Sequence, residues 1–107
     1  MVHAGYLEQF PTAGLTGKYT CVEDFYLRAR EDAYLTGGIE NGMIVAGHTP
    51  TLSKDYMMYN GGLVYQHYDP QKNCLYYDID CGCSYRTVRA NARLACLCAE
   101  TGAIYYL

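Results

Sequence analysis

Tryptophan is absent from this chain, phenylalanine occurs twice and proline three times. Tyrosine takes their place, with 13 copies in 107 residues. A tyrosine ring is apolar but its hydroxyl must reach water or a partner, so this composition favours a broad half-buried surface over a deep dry core. Charge is scarce too: 18% of residues are charged while 50% are hydrophobic, the reverse of what disorder requires. Eight Lys and Arg against eleven Asp and Glu give a net charge of −3, with no basic block to grip a phosphate backbone, so nucleic acid is not an expected partner. Apolar runs such as Met43-Ile44-Val45-Ala46 fall far short of the roughly 20 residues that span a bilayer, so no membrane partner is expected either. The start, Met1-Val2-His3-Ala4-Gly5, has neither the basic segment nor the hydrophobic region of a secretory leader, which makes a cytoplasmic location the expectation.

The length suits one small domain, and small domains bury a low fraction of their surface. The cysteines are Cys21, Cys74, Cys81, Cys83, Cys96 and Cys98. Disulfides would want an exported chain. The pairs Cys81/Cys83 and Cys96/Cys98 bring four thiols that raise the question of zinc, although paired zinc ligands are usually two to four residues apart. The simpler reading takes Arg93–Ala99 as a buried strand whose cysteines act as small hydrophobes.

Val2-His3 reads as the end of a strand, and the Pro- and Gly-containing stretch to Lys18 reads as a loop. A helix is predicted near residues 20–36. Thr20 with Glu23 forms a capping-box pattern, Val22, Phe25, Tyr26, Ala29 and Ala33 form the packing face, and Gly37-Gly38 ends it. Strands are predicted over Met43–Ala46, Leu63–Tyr68, Cys74–Ile79, Ala92–Ala99 and Ala103–Leu107. Asp69-Pro70 and Thr101-Gly102 are turns, the latter a two-residue connection. Thr51–Asn60 is poorly patterned, with room for one helical turn. The order is that of an α+β fold.

His3 and His48 both sit where strands run out into loops, the place where layered folds hold ligands. Ala4, Gly5 and Gly47 would leave room beside them. Spacing alone leaves a metal role and a structural role both open for each. His67, among Tyr65, Gln66 and Tyr68, reads as a surface strand residue.

Taken in order, Val2-His3-Ala4-Gly5, Arg30-Glu31, Ile44-Val45-Ala46-Gly47-His48-Thr49-Pro50-Thr51, Ile79-Asp80-Cys81-Gly82-Cys83 and Leu94-Ala95-Cys96-Leu97 resemble the carboxyl-terminal half of the calcineurin-like metallophosphoesterases. The most similar branch is the bacterial group of serine/threonine protein phosphatases and diadenosine tetraphosphatases. The resemblance implies half of an αββα sandwich, with one mainly β layer. It implies that residues 1–107 are a single partial domain of a hydrolase that cleaves phosphoesters with two divalent metal ions, Mn, Fe or Zn. His3 and His48 match metal ligands of that centre, and Arg30 matches an arginine that contacts the substrate phosphate. Asp80 matches a structural strand-end position. Arg30 read alone is equally a solvated helix charge paired with a neighbouring acid.

The family's Asp-x-His, Gly-Asp-x-x-Asp-Arg and Gly-Asn-His motifs do not occur here. They carry most metal ligands, the general-acid histidine and a further phosphate-binding arginine, so no catalytic residue is assigned. With two protein ligands a metal site is weak. The expectation is therefore an incomplete phosphatase with little activity alone. The alternatives are a non-enzymatic interaction remnant whose exposed sheet self-associates or awaits the missing amino-terminal half, and a Cys-based zinc module.

Overall fold

The computed structural model describes residues 1–9 and 17–107; residues 10–16 of the expected loop lie outside the described residues. Two short helices, α1 (Val22–Arg28) and α2 (Asp32–Leu35), are followed by strands β1 (Gly42–Ala46), β2 (Tyr65–Asp69), β3 (Cys74–Asp78), β4 (Ala95–Leu97) and β5 (Ile104–Tyr106). A 3-10 turn at Cys83–Tyr85 lies between β3 and β4. The result is a small α+β domain, as the element order predicted.

β1, β3 and β2 form one sheet in that spatial order. β1 runs parallel to β3, with Ile44 opposite Tyr76, and β2 runs antiparallel to β3, with His67 opposite the same Tyr76. β4 and β5 form a separate hairpin. Because side chains alternate along a strand, the sheet feeds two clusters. Ile44, Ala46, Cys74 and Tyr76 pack with Phe25, Ala29, Ala33 and Tyr34 of the helical region. Val45, Leu75 and Tyr77 face the other way and pack with Ala95, Leu97 and Ile104 of the hairpin. The expected single β layer is therefore two sheets, and the hairpin packs on the face opposite the helices. Fully burying a side chain such as Phe25 stabilises the fold by about 1.5–3 kcal/mol.

The predicted single helix is divided. Ala29 is buried and takes an extended ψ of 139°, so the chain leaves α1 there and restarts at Asp32. Neither Gly nor Pro marks the break. The predicted amino-terminal cap is also shifted, since Asp24 rather than Glu23 accepts from the Thr20 amide, at 2.9 Å, and the cap position is Cys21. Asp24 additionally pairs with Arg28 one turn on. Hydrogen bonds to Arg28 and Thr20 hold its carboxyl well below the usual range.

The predicted strands appear slightly shortened or shifted. Cys98 and Ala103 close the last hairpin through a 2.8 Å backbone bond, so its turn runs through residues 99–102 and is longer than the two-residue connection expected. Cys96 and Leu94 are exposed there, so this segment is not the buried strand expected. Thr51–Asn60 folds as successive turns without a helix. Val2 and His3 form no named strand, but they lie against the end of β1. The Val2 amide donates to the Val45 carbonyl at 3.0 Å, and the Gly47 amide to the His3 carbonyl at 2.9 Å. No helix among the described residues is long and apolar enough to cross a membrane.

Candidate functional site

The backbone bonds beside β1 bring two distant histidines together. His3 Nε2 lies 3.0 Å from His48 Nδ1, with ring centroids 4.8 Å apart. The neighbouring residue Ala4 anchors His3 through both of its backbone polar groups. The Ala4 amide donates to the Tyr26 carbonyl at 2.9 Å, and the Tyr76 hydroxyl donates to the Ala4 carbonyl at 3.2 Å. The small residues Ala4 and Gly5 are buried rather than lining open space. A Cβ on Gly5 would lie 2.9 Å from both Ala33 Cβ and Phe25 Cε1, so its size serves the close approach of the helices. That corrects the expectation that Gly5 makes room for ligands.

His48 has φ +76°, in the left-handed region that few residues with side chains adopt, although His, like Asn and Asp, is found there more often than most. The other positive-φ residues bearing side chains, among those described, are Asn41 and Asn73, which tolerate this geometry. His48 thus holds a left-handed backbone directly beside its partner imidazole, a modest local cost of a kind that clusters at functional sites. Its pKa is lowered, first by burial and then by the positive charges of Arg30 and His3, with Asp80 opposing. A neutral imidazole is the form that can bind a metal or accept a proton.

Arg30 is placed by the helix break. Its guanidinium donates to Thr49 Oγ1 at 3.3 Å and lies 4.3 Å from the Tyr56 ring centroid, a cation–π distance. Among the described residues it has no ion pair, so it is not the paired helix charge that was its alternative reading. Arg30 and His48 line one cleft of about 700 Å³, together with Lys54, Tyr56, Tyr59, Tyr85, Arg89 and other residues. No sequence motif singled out these further cleft residues. The available clue was the unpatterned stretch Thr51–Asn60, where Lys54, Tyr56 and Tyr59 follow no core periodicity, and unpatterned segments often carry binding residues.

Beneath this surface the ends of β1 and β3 are tied together. Thr49, Thr51 and Asp78 are each 0% exposed. The Asp80 carbonyl accepts from the Thr51 amide at 2.9 Å, while the Asp80 amide donates to Asp78 Oδ1 at 2.9 Å. Asp80 Oδ1 also accepts from the Gly82 amide at 3.1 Å, so Asp80 sits in a hydrogen-bonded knot at the strand end. Asp78 Oδ2 is buried and has no hydrogen-bond partner among the described residues. Burial pushes the Asp78 carboxyl up to about 8, which favours its neutral form at pH 7. His67 stands apart on β2, half-buried with its ring 4.6 Å from that of Tyr34.

The 3.0 Å contact is a hydrogen bond between the two imidazoles, one nitrogen carrying the proton and the other accepting it. Among the described residues no group of three or more His, Cys, Asp or Glu side chains is arranged to hold a metal, which covers the Cys pairs as well. Cys81 is buried, Cys96 exposed, and Cys98 lies 3.4 Å from a Glu100 carboxylate oxygen. No protein-family model, curated protein or solved structure matches the chain.

Proposed function

We propose that this chain carries the distal part of a metal-dependent phosphoesterase site, of the calcineurin-like metallophosphoesterase kind. The observation that carries the reading is the approach of His3 and His48 to 3.0 Å, with Arg30, which has no ion pair among the described residues, lining the same open cleft as His48. Two imidazoles from separate chain segments would supply two nitrogen ligands to a divalent ion of Mn, Fe or Zn. In a complete centre the metal ions would lower the pKa of a bound water and polarise the phosphoryl oxygens. Arg30, stiffened by Tyr56 and Thr49, would present a planar fork to the phosphate of the phosphoester. The remaining ligands are not among these 107 residues, so hydrolysis needs another segment to supply them. In this reading residues 1–107 form the carboxyl-terminal half of an αββα sandwich.

Manganese titration followed by electron paramagnetic resonance tests the site. Weak binding that disappears in both His3→Ala and His48→Gly is expected, with no measurable turnover of a generic phosphoester. Binding unchanged in both variants overturns the site. Rapid metal-dependent turnover by the 107 residues alone overturns the incompleteness.

A second reading, an interaction remnant, draws on the hairpin end of the chain, where Leu94, Tyr105 and Leu107 are 47%, 64% and 78% exposed. Light scattering separates the two. A stable monomer that binds manganese favours the phosphoesterase site, and a concentration-dependent oligomer that ignores manganese favours the remnant.

A further inference from the structure

The cleft that His48 lines carries positive charge in addition to Arg30. Lys54 and Arg89 line it in addition to Arg30, and Asp55 is the sole carboxylate among the described lining residues. Among the described residues, neither Lys54 nor Arg89 is in an ion pair.

Arg89 comes from a different stretch of chain than Arg30, and that stretch is fixed at both ends. At its start, Gly82 adopts φ +76°, and a Cβ there would lie 2.9 Å from Leu52 Cδ2. The following turn closes through Tyr85 N–H to Gly82 O at 2.8 Å, and the Tyr85 carbonyl accepts the Val88 and Arg89 amides at 2.9 and 2.8 Å. At its end, Asn91 Nδ2 donates to Gly61 O at 3.2 Å, and a side chain on Gly62 would overlap the Asn91 carbonyl oxygen. The Arg89 backbone is thus built into the cleft wall. A cleft lined mainly by positive groups attracts anions.

We propose that Arg89, with Tyr85 and Asn91, forms a second anion subsite, and that the phosphoester taken here carries another anionic group, carboxylate or phosphate, besides the one at Arg30. This rests on the phosphoryl reading of the Arg30 end. A guanidinium fork matches either anion. Tyr56, Tyr59 and Tyr85 add flat, half-polar walls to the cleft. A ligand reaching both subsites gains because the second contact is intramolecular, and that gain depends on the length of its connecting chain.

The test uses methylphosphonate, α,ω-alkylene bisphosphonates of increasing chain length and the matching ω-carboxyalkylphosphonates, titrated calorimetrically with manganese present. One bisphosphonate length is expected to bind at least tenfold tighter than methylphosphonate. In Arg89→Gln that ratio should fall to about two, the statistical value for two identical ends, and Arg89→Lys should restore part of it. Arg30→Gln should weaken every ligand. The carboxylate series separates the two anions, since a matching gain there shows that the subsite does not require phosphate. A ratio near two at every length in the parent overturns the second subsite and leaves the Arg30 site standing. A length optimum untouched by Arg89→Gln overturns its assignment to Arg89, and failure of every phosphonate to bind overturns both sites. Arg89 is exposed, and melting curves of its variants verify that the wall stays folded.

Discussion

His48 reaches His3 at 3.0 Å only by adopting φ +76°, so the imidazole pair and the left-handed backbone are one feature. A right-handed or extended residue at 48 would carry its side chain elsewhere. The backbone at Gly47, bonded to the His3 carbonyl, fixes where this turn begins.

The cost of that conformation is measurable. A side chain in the left-handed region costs roughly 1–2 kcal/mol relative to glycine. His48→Gly should therefore be more stable than His48→Ala by about 1–2 kcal/mol in urea unfolding at pH 8, while both lose manganese binding. Equal stability of the two variants would show that the backbone at 48 is unstrained.

The same residue sets a pH dependence. Burial and Arg30 lower the folded-state pKa of His48 beneath its ordinary value of 6.5, so the unfolded chain takes up the proton more readily. Its contribution to stability is full above about pH 6.5 and is lost as pH falls toward the folded pKa. Between pH 7.5 and 5 the denaturation midpoint of the parent should fall relative to that of His48→Gly, a difference that isolates His48 from the opposing effect of Asp78.

Asp78 acts in the opposite sense. Its folded pKa is raised from 3.8 to about 8 by burial, so the folded chain holds the proton longer than the unfolded one. This term favours folding below about pH 4, weakens as pH rises, and is spent by about pH 8. Asp78→Asn keeps an oxygen for the Asp80 amide and removes the charge. It should gain about 1–3 kcal/mol over the parent at pH 9 and little at pH 4. An Asp78→Asn variant less stable than the parent at pH 9 would mean that the orphaned oxygen has a polar partner in solution.

Thr49 links the buried strand end to Arg30. Thr49→Val deletes the acceptor of the 3.3 Å bond at nearly constant shape, leaving Tyr56 as the support of the guanidinium. Phosphonate affinity should fall roughly two- to tenfold, the weight of one net hydrogen bond of about 0.5–1.5 kcal/mol. An unchanged affinity measured by calorimetry would show that Thr49 does not position Arg30.

Gly62 tests the anchoring of the cleft wall. Its φ is +82° and a Cβ would overlap the Asn91 carbonyl oxygen. Gly62→Ala should cost about 2–4 kcal/mol, joining left-handed strain to a backbone clash. Gly61→Ala, with open space around its Cβ position at φ +64°, should cost only the strain. Equal melting temperatures for the two variants would remove the argument that Asn91 is pinned there.

Much of the fold was legible because its signals are local. Met43-Ile44-Val45-Ala46 is apolar throughout and became β1, buried on the face of Ile44 and Ala46 and half-buried at Val45. The segments around Tyr65, Cys74 and Ile104 carried β-prone residues between turn formers, and each became a strand. Residues His3, Arg30 and His48 could be singled out by type and by the motifs around them. The break at Ala29 could not, because alanine is the best helix former and nothing in its neighbours interrupts the helical period. It arises where Ala29 is buried against the sheet while Arg30 turns to Thr49 and Tyr56, contacts that involve residues far away in the chain.

By itself, then, the sequence determined the α+β order and the approximate positions of the strands, and it singled out His3, Arg30 and His48 as candidates. Tertiary structure alone decided that His3 and His48 meet, that Arg30 leaves its helix, and that Lys54 and Arg89 come to line the same cleft. Periodicity and propensity act over a few residues, whereas those meetings depend on parallel pairing of β1 with β3 and on the segment at residues 2–3 docking beside β1.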